Sequence, residues 1–341
     1  MLFFVEDFVP TDAGPVPRVA TSLQRRDHLG TIGARSGFLR NNYKVPPGLY
    51  CTGNPKKNSP VLVTANYKLS FDALRKELAV ENCWLLVVDT RGINVWCAGG
   101  KGTFSAEEIA YQVQRADLAK IVNHRRLILP QLCANGVAIH KLKALCGFRG
   151  NFGPINAAAI PEYLKTGIAN EQMRSVTFDL KERMVLIPLE VCMLWKQSII
   201  LCLFFFVLSG ISRELFSLDL ALQRGLIITT VTMLGIFSGA ILTPLLLPWI
   251  PAKQFWLKGL ITGVVVAGLY STLTPPGLQP IDSIALALWL LSCSSYLAMN
   301  FTGSTVFTSL SGVEKEMRKG LIFQIVSALT ALTLWLISAF L

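Results

Sequence analysis

The chain has 341 residues, of which 52% are hydrophobic and only 16% are charged. Soluble domains carry roughly 25% charged residues, so this composition excludes a chain that is dissolved in water along its whole length. The formal net charge is +11, which predicts an acidic partner or an anionic surface. No motif with interleaved basic and aromatic residues supports nucleic acid as that partner.

The composition changes abruptly near residue 196. Residues 197–341 carry seven basic and five acidic side chains, which leaves 25 and 16 of the totals of 32 and 21 for residues 1–196. The first part is therefore strongly basic, at +9, and the second is nearly neutral, at +2. Glu6 and Asp7 precede any long apolar run, so we expect no secretory signal peptide and a cytoplasmic first part with reduced thiols.

The first part predicts an irregular N-terminal wrap over residues 1–58, followed by an α/β Rossmann-like domain over residues 59–190. Continuous apolar runs separated by helices are typical of a parallel sheet covered on both faces. The expected strands are Val61–Ala65, Trp84–Asp89, Leu127–Pro130 and Gly136–His140. The expected helices begin at Ser70, which would cap a helix through Leu78, and at Ser105, where Glu108 completes a capping box before Ala106–Ile121.

Residues 191–341 predict an all-α transmembrane domain of about five helices, because a span needs roughly 20 apolar residues. The expected spans are residues 194–211, 225–247, 255–273, 281–299 and 320–341. Pro244 and Pro248 predict a kink at the end of the second span. Ionisable groups are absent from the apparent span centres, which favours an anchor over a transporter.

Basic side chains in the connections predict the orientation of these spans. The connections near Lys253 and near Lys315 are basic, whereas the Pro-rich connection Thr274–Pro280 has no basic residue. We therefore expect a multi-pass protein of the inner, cytoplasmic membrane. Its N-terminal domain is expected in the cytoplasm and its C-terminus outside.

The spacing of the cysteines limits the kinds of metal site that the sequence predicts. The eight cysteines are Cys51, Cys83, Cys97, Cys133, Cys146, Cys192, Cys202 and Cys293. No two of them form a Cys-x-x-Cys pair, so neither a zinc site nor an iron–sulfur cluster is predicted within this chain. Glycine-rich fingerprints for dinucleotides or for a P-loop are also absent.

Cys97 lies in the segment Asn94-Val-Trp-Cys-Ala-Gly-Gly-Lys101, which is predicted to form a tight turn after the second strand of the sheet. Ligands bind beyond the carboxyl ends of parallel strands, and Thr64–Asn66 and Asp89–Gly92 fall at the same edge. Three interpretations of Cys97 are open from the residues alone: a small buried hydrophobe, a redox or nucleophilic thiol, and a ligand for a metal in a bound cofactor.

The residues around Cys97 resemble a known signature, which helps to decide among the three interpretations. The eight residues Asn94–Lys101 match the signature of the mercury-methylating corrinoid protein family (HgcA) without a departure. The segments VLVTANYKLSF, WLLVVDTRG, GKGTFSAEE, GFRGNFGP (147–154) and NFTGSTVFTSLSGV (300–313) also resemble this family over roughly residues 58–341. Several of them resemble the corrinoid domain of the corrinoid iron–sulfur protein. The cobalamin Asp-x-His-x-x-Gly motif is absent, since His28, His124 and His140 all fail its spacing.

The resemblance implies a corrinoid-dependent methyltransferase that moves a methyl group from methyl-Co(III) to Hg(II) and forms methylmercury. It implies a corrinoid (cobalamin, cobalt) as cofactor, with the Cys97 thiolate as catalytic residue and lower axial ligand of the cobalt. The physical logic is that the axial ligand tunes a macrocyclic metal and that a thiolate pushes electron density onto it.

The same resemblance implies a set of cofactor-binding residues. Within the signature, Trp96 is expected either beside the corrin or in the core, and Asn94 is expected to hold the turn by side-chain to backbone bonding. Lys101 is expected either to remain solvated or to reach a corrin amide or phosphate. Ala98, Gly99 and Gly100 are expected to give clearance for the ring. The full expected set is Asn94, Val95, Trp96, Cys97, Ala98, Gly99, Gly100, Lys101, Thr64, Asn66 and Gly153.

The implied partners are a ferredoxin-like protein with two 4Fe–4S clusters as electron donor and a methyl-donor methyltransferase linked to methyl-folate. One alternative from the same chemistry is a corrinoid methyl carrier in one-carbon metabolism of the acetyl-CoA pathway type. An alternative of another class is a membrane transporter or receptor with a soluble sensor domain, which predicts that the purified protein lacks cobalt.

Overall fold

The computed structural model describes residues 2–213, 215–273, 278–305 and 310–341. The chain divides into two compact units, Met1–Thr177 and Phe178–Leu341, here called the α/β unit and the helical unit. The Pro-rich connection and the segment NFTGSTVFTSLSGV, both used in the sequence analysis, lie partly outside the described residues.

The α/β unit is built on one seven-stranded sheet. Its strands are β1 (Val5–Val9), β2 (Val16–Val19), β3 (Gly48–Thr52), β4 (Val61–Ala65), β5 (Cys83–Val88), β6 (Arg126–Leu129) and β7 (Arg149–Phe152). The spatial order is β1-β2-β3-β5-β4-β6-β7. The four strands β5, β4, β6 and β7 are parallel, whereas β3 pairs antiparallel with β5. The predicted parallel sheet is therefore confirmed, with a mixed edge added.

Helices cover both faces of this sheet. They are α1 (Arg25–Arg35), α2 (Lys68–Glu77), α3 (Val95–Gly100), α4 (Ala106–Arg115), α5 (Leu118–Ile121), α6 (Ile139–Cys146), α7 (Ile160–Thr166) and α8 (Glu171–Arg174). Side chains alternate along each strand, so Val63 and Leu86 pack with Ile109 of α4. Leu85 points to the opposite face and packs with Phe71 of α2.

Three expectations about individual elements were wrong. Residues 136–140 are not a strand: the chain turns there and α6 begins at Ile139, while the fourth parallel strand is β7. The helix expected to start at Ser70 begins at Lys68, after an extended Tyr67. The long helix expected after Ser105 ends at Arg115, because Asp117 adopts a left-handed backbone with φ of 46°.

The first 58 residues are not an irregular wrap, since they contribute β1, β2, β3 and α1. A buried ion cluster joins them to the rest of the unit. Asp27 of α1 lies 2.9 Å from Arg75 of α2. Asp72 lies 2.7 Å from Arg75 and 2.6 Å from Lys68, which also contacts Asp27. Two cations thus face two carboxylates, which is the pairing that makes buried charge tolerable.

The helical unit contains helices in all five regions predicted to span. The helices of this unit are α9 (Leu180–Met193), which precedes the first predicted span, α10 (Trp195–Ser209), α11 (Leu218–Ile236), α12 (Thr243–Leu246), α13 (Phe255–Ser271), α14 (Pro280–Asn300) and α15 (Leu310–Ile337). In the described residues, three stretches are long and apolar enough to cross a membrane: Leu218–Leu246, Pro280–Gly303 and Ser311–Phe340. The α9–α10 pair, bent by 49°, would make a fourth if it is one span.

The second predicted span is a continuous helical stretch that is interrupted by one irregular turn. Between α11 and α12 the chain forms a π-helical turn over Phe237–Leu242. Pro244 follows directly, and its missing N–H breaks the regular hydrogen-bond ladder. Near the expected kink, the helix therefore changes locally from α-helical to π-helical winding.

Two charged side chains of the helical unit have partners on other helices. Arg224 lies inside α11, because this helix begins at Leu218, and its guanidinium lies 4.2 Å from the Trp335 ring centre. Glu316 accepts a hydrogen bond of 2.9 Å from the N–H of Phe255, at the start of α13. These two side chains therefore contribute to the packing of the helices.

Candidate functional site

Cys97 lies at the carboxyl edge of the parallel strands. The chain leaves β5 at Val88, passes through a loop and enters α3, so the expected tight turn is a short helix. On this helix Ala98 and Gly99 are buried, whereas Cys97 is half-buried and Gly100 is exposed. The helix thus turns one side to the protein and leaves the thiol partly open to the outside.

Asn94 fixes the backbone of the candidate ligand. It is the residue that caps α3, and its Oδ1 accepts a hydrogen bond of 2.8 Å from the N–H of Cys97. Capping residues of this type stabilise a helix by typically ~1 kcal/mol. The position of Cys97 is therefore set by an interaction within its own segment.

Asn66 organises the loop that leads to α3. Its side chain is almost fully buried, and its Oδ1 accepts hydrogen bonds from the N–H groups of Thr90 and Gly92 at 3.0 and 2.9 Å. Its Nδ2 donates to Asp89 at 2.9 Å. Asn66 follows β4, so this one amide joins the carboxyl ends of β4 and β5.

The same loop contains a tight turn and a tie to α4. Arg91 and Gly92 both have left-handed backbones, with φ of 60° and 76°. Glu108 accepts a hydrogen bond of 2.9 Å from the N–H of Asp89. Ser105 caps α4 by accepting from the N–H of Glu108 at 3.2 Å. The carboxylate expected to close a capping box instead fixes the end of β5.

Close backbone contacts hold α3 against the loop that follows β6. A Cβ on Gly99 would lie 3.2 Å from the Cα of Cys133. A Cβ on Gly136 would lie 2.6 Å from the carbonyl oxygen of Gly99, so only glycine fits there. Gly100, by contrast, has nothing within 4 Å of its Cβ position. Sequence reasoning missed Gly136 because it was assigned to a strand.

The other residues predicted to bind the cofactor differ in how deeply they are buried. Thr64 is buried within β4. Gly153 is buried just after β7, where its N–H donates to Leu129 at 2.9 Å. Trp96 is half-buried, and Lys101 is exposed at the end of α3. The structure therefore brings Asn94–Lys101 and Asn66 together at one edge. Direct contact of these residues with a cofactor stays a prediction.

Cys97 is less buried than three of the other four thiols of the α/β unit. Cys51, Cys83 and Cys133 are fully buried, and burial raises the pKa of each thiol to about 12. Burial also raises the pKa of Cys146. Cys51, Cys83 and Cys133 behave as core residues, whereas Cys97 and Cys146 are only half-buried. Of these two, only Cys97 lies in the segment at the carboxyl edge of β5.

Cys97 alone could supply only one ligand to a metal ion. Within the described residues, no group of three or more His, Cys, Asp or Glu side chains is placed to hold a metal ion. A metal bound by Cys97 would therefore bring most of its ligands with it, as a metal in a macrocycle does. The residues present, a half-exposed soft thiol beside the open space at Gly100, fit such a group.

The fold and this edge define an α/β domain that presents one thiol beyond its parallel strands. Residues 39–164, which include the Cys97 segment, match the family model described as CO dehydrogenase/acetyl-CoA synthase delta subunit. The chain is 34% identical over 128 residues to the acetyl-CoA decarbonylase/synthase complex subunit gamma of Methanopyrus kandleri. That match covers 37% of this chain and 27% of the relative.

Two further relatives are similar over matches of comparable length. The subunit gamma of Methanocaldococcus jannaschii is 40% identical over 100 residues, which are 28% of this chain and 20% of the relative. The corrinoid/iron–sulfur protein large subunit of Moorella thermoacetica is 34% identical over 120 residues, which are 35% of this chain and 26% of the relative. The chain thus spans about a quarter of the length of these curated relatives.

The exposure of Cys97 leads to a labelling prediction. In the folded full-length protein at pH 8, we expect iodoacetamide to modify Cys97 well before Cys51, Cys83 and Cys133. A pKa of about 12 leaves only about one thiolate in 10⁴ at this pH, and the thiolate is the reacting form. Peptide mass spectrometry over a time course measures the order. The variant Cys97→Ser serves as the control, and labelling of the buried thiols at the rate of Cys97 would contradict the assignment.

Proposed function

We propose that the α/β unit binds a cobalt corrinoid at the edge that carries Cys97, and that the Cys97 thiolate is the lower axial ligand of the cobalt. The protein would then be a corrinoid-dependent methyltransferase. The observation that carries the proposal is the half-exposed Cys97, held at the carboxyl edge of the parallel strands by the Asn94 cap. This edge is where sheets of this type bind ligands.

A bound cobalt corrinoid supplies a methyl group that can be passed to an acceptor. The chain's own residues do the positioning. Asn94 fixes the backbone of Cys97, and Asn66 fixes the loop that precedes it. Because these hydrogen bonds are already made, the thiol is ready to bind without reorganisation of the loop. The open space at Gly100 leaves room for a flat ring beside the helix.

We propose Hg(II) as the methyl acceptor. The support is the resemblance of Asn94–Lys101 to the mercury-methylation signature, together with the chemistry of the ligand. A thiolate below the metal favours release of the methyl group with its electron pair, and soft Hg(II) is a suitable acceptor for such a group. Delivery of Hg(II) to the site is left to a partner or a small thiol.

A second candidate acceptor belongs to one-carbon metabolism. It is supported by the similarity to acetyl-CoA decarbonylase/synthase subunits and to a corrinoid/iron–sulfur protein. These comparisons favour this candidate over Hg(II). Both candidates would use the same corrinoid edge and the same residue, Cys97. They differ in what receives the methyl group and in whether the electron pair of the metal–methyl bond leaves with it.

The proposal also assigns a role to the helical unit. We propose that its apolar helices anchor the protein in the inner membrane, with the α/β unit in the cytoplasm and the C-terminus outside. After transfer to Hg(II), renewed methylation would need two electrons, because the methyl group leaves with its electron pair; we assign their supply to a ferredoxin-like partner with two 4Fe–4S clusters. It also needs a methyl donor, which we assign to a methyltransferase linked to methyl-folate. The basic α/β unit suits an acidic electron-transfer partner.

Substitution of the ligand tests the proposal. In cells that produce Cys97→Ala at the normal level, we expect methylmercury formation to fall to the background of cells without the protein. The reason is that alanine has no donor atom for the cobalt. Cys146→Ala is the matched control, because it removes another half-buried thiol of the α/β unit. Methylmercury formation that survives in Cys97→Ala would overturn the axial-ligand assignment.

A deletion experiment separates the two acceptors. Cells that lack the gene are grown on one-carbon substrates in mercury-free medium, and methylmercury formation is then measured after addition of Hg(II). Normal growth with lost mercury methylation supports Hg(II) as the acceptor. A growth defect in mercury-free medium, restored by the wild-type gene but not by Cys97→Ala, supports the carbon acceptor instead.

A further inference from the structure

Helix α1 and the turn that follows it carry large apolar side chains on the surface of the α/β unit. Leu29 and Ile32 of α1 are 68% and 65% exposed, and Phe38 in the turn is 74% exposed. Leu29 and Ile32 are three residues apart, so they are neighbours on the helix surface. Isolated apolar side chains are ordinary on a protein surface, whereas a group of adjoining ones marks a binding surface.

Contacts of α1 extend this apolar stripe in two directions. The guanidinium carbon of Arg26 lies 6.0 Å from the ring centre of Phe3, which is also exposed. The N–H of Leu39 donates to the carbonyl of Gly33 at 3.0 Å, and a Cβ on Gly33 would lie 2.7 Å from the Leu39 side chain. Arg26 and Gly33 are three residues before and four residues after Leu29, so both adjoin it on the helix. The exposed side chains therefore form one continuous surface.

The opposite side of α1 is packed into the α/β unit. Ala34 is fully buried, and a Cβ on Gly30 would lie 2.5 Å from the ring of Tyr43. Asp27, on the same side, lies 2.9 Å from Arg75 of α2. Tight packing and a buried ion pair thus hold the helix in one rotation. Leu29 and Ile32 consequently cannot turn inward to be covered by the core of their own unit.

The chain around this apolar surface is positively charged. Residues 21–44 contain four arginines and one lysine, and Asp27 is their only acidic residue. Asp27 is buried and pairs with Lys68 and Arg75, so it adds no negative charge to the surface. Exposed Leu, Ile and Phe side chains next to arginines are typical of protein surfaces that lie on anionic lipid.

The same chain carries helices that fit a membrane. In the described part of the helical unit, three stretches are long and apolar enough to cross one. Only five residues, 175–179, separate α8 from α9. If the helical unit is embedded, the α/β unit meets the lipid surface at a high effective concentration, at which weak contacts suffice. This connectivity favours lipid over a freely diffusing protein as the ligand of the surface.

We propose that the apolar face of α1 binds the surface of an anionic lipid bilayer. The apolar face is defined by Phe3, Leu29, Ile32, Phe38 and Leu39. This inference rests on the membrane anchor of the proposed function. The apolar side chains enter the boundary between headgroups and acyl chains, and the neighbouring arginines bind lipid phosphates.

Binding of this face would also orient the candidate site. The segment that follows the apolar face is joined to the site, because the N–H of Lys68 donates to the carbonyl of Tyr43 at 2.9 Å. The stem of Lys44 lies 2.9 Å from the position of a Cβ on Gly92, in the loop that leads to Cys97. A bilayer bound to α1 would therefore hold the Cys97 edge in one orientation relative to the lipid surface.

Photo-cross-linking in lipid nanodiscs tests this proposal. Full-length protein is placed in discs of phosphatidylcholine alone, or with one lipid in three replaced by phosphatidylglycerol. Both kinds of disc contain a trace of phospholipid with a photoactivatable group near its headgroup. Peptide mass spectrometry measures the lipid attached to residues 27–40. We expect about fivefold more label on this segment in the anionic discs, because arginines near an anionic surface strengthen binding.

The double variant Leu29→Asn/Ile32→Asn removes apolar side chains and keeps every arginine. Both residues are mostly exposed, so the fold should be retained, which circular dichroism checks. We expect its label over residues 27–40 to fall about fivefold in the anionic discs, because less apolar surface leaves water. The matched control is Tyr111→Ser, which removes an exposed aromatic ring from α4, on the opposite face of the sheet from α2, and should leave the label unchanged.

Label on the helical unit shows in the same samples whether the protein is embedded. An embedded protein without label on residues 27–40 would overturn lipid as the ligand and assign the apolar face to a protein partner. Equal label on the wild type and on the double variant would also overturn the proposal. A protein that stays soluble without detergent and takes no label on its helical unit would overturn the proposed membrane anchor, and this inference with it.

Discussion

The side chain of Asn66 is the interaction on which the candidate site depends. It accepts hydrogen bonds from the backbone of Thr90 and Gly92 and donates to Asp89, so it locks the β5–α3 loop to the end of β4. The N-terminal segment reaches the same point, because the backbone carbonyl of Asn66 accepts a hydrogen bond from the N–H of Val45. Loss of the Asn66 side-chain amide would leave the buried N–H groups of Thr90 and Gly92 without a partner, at about 1–3 kcal/mol each. The loop that leads to Cys97 and the N-terminal segment thus both depend on one buried residue.

Much of the α/β unit could be predicted from local sequence. The strands β4, β5 and β6 are short continuous apolar runs, and Ser105 marks the start of α4 as a cap. The N-terminal strands could not be predicted, because their place in the sheet depends on pairing with distant residues: β3 pairs with β5, so that Gly48 lies opposite Val87 and Thr52 opposite Cys83. The prediction of a strand at residues 136–140 was wrong, because an apolar run of this length does not distinguish a helix from a strand.

The candidate site could be predicted only in part for the same reason. The segment Asn94–Lys101 is a local pattern, and it led directly to Cys97. The loop held by Asn66 depends on contacts between residues that are far apart in the sequence. Local pattern therefore led to the proposed ligand, whereas tertiary packing supplies the support of its loop. In the described part of the helical unit, three stretches are long and apolar enough to cross a membrane, as the proposed anchor requires.

The central claim is that a sulfur atom of the protein binds the cobalt from below. X-ray absorption at the cobalt edge, recorded on the corrinoid-loaded full-length protein, identifies the elements bound to the metal. The account predicts one sulfur neighbour in the wild type, and its replacement by nitrogen in Cys97→His. A cobalt bound only by nitrogen and oxygen in the wild-type protein would contradict the account.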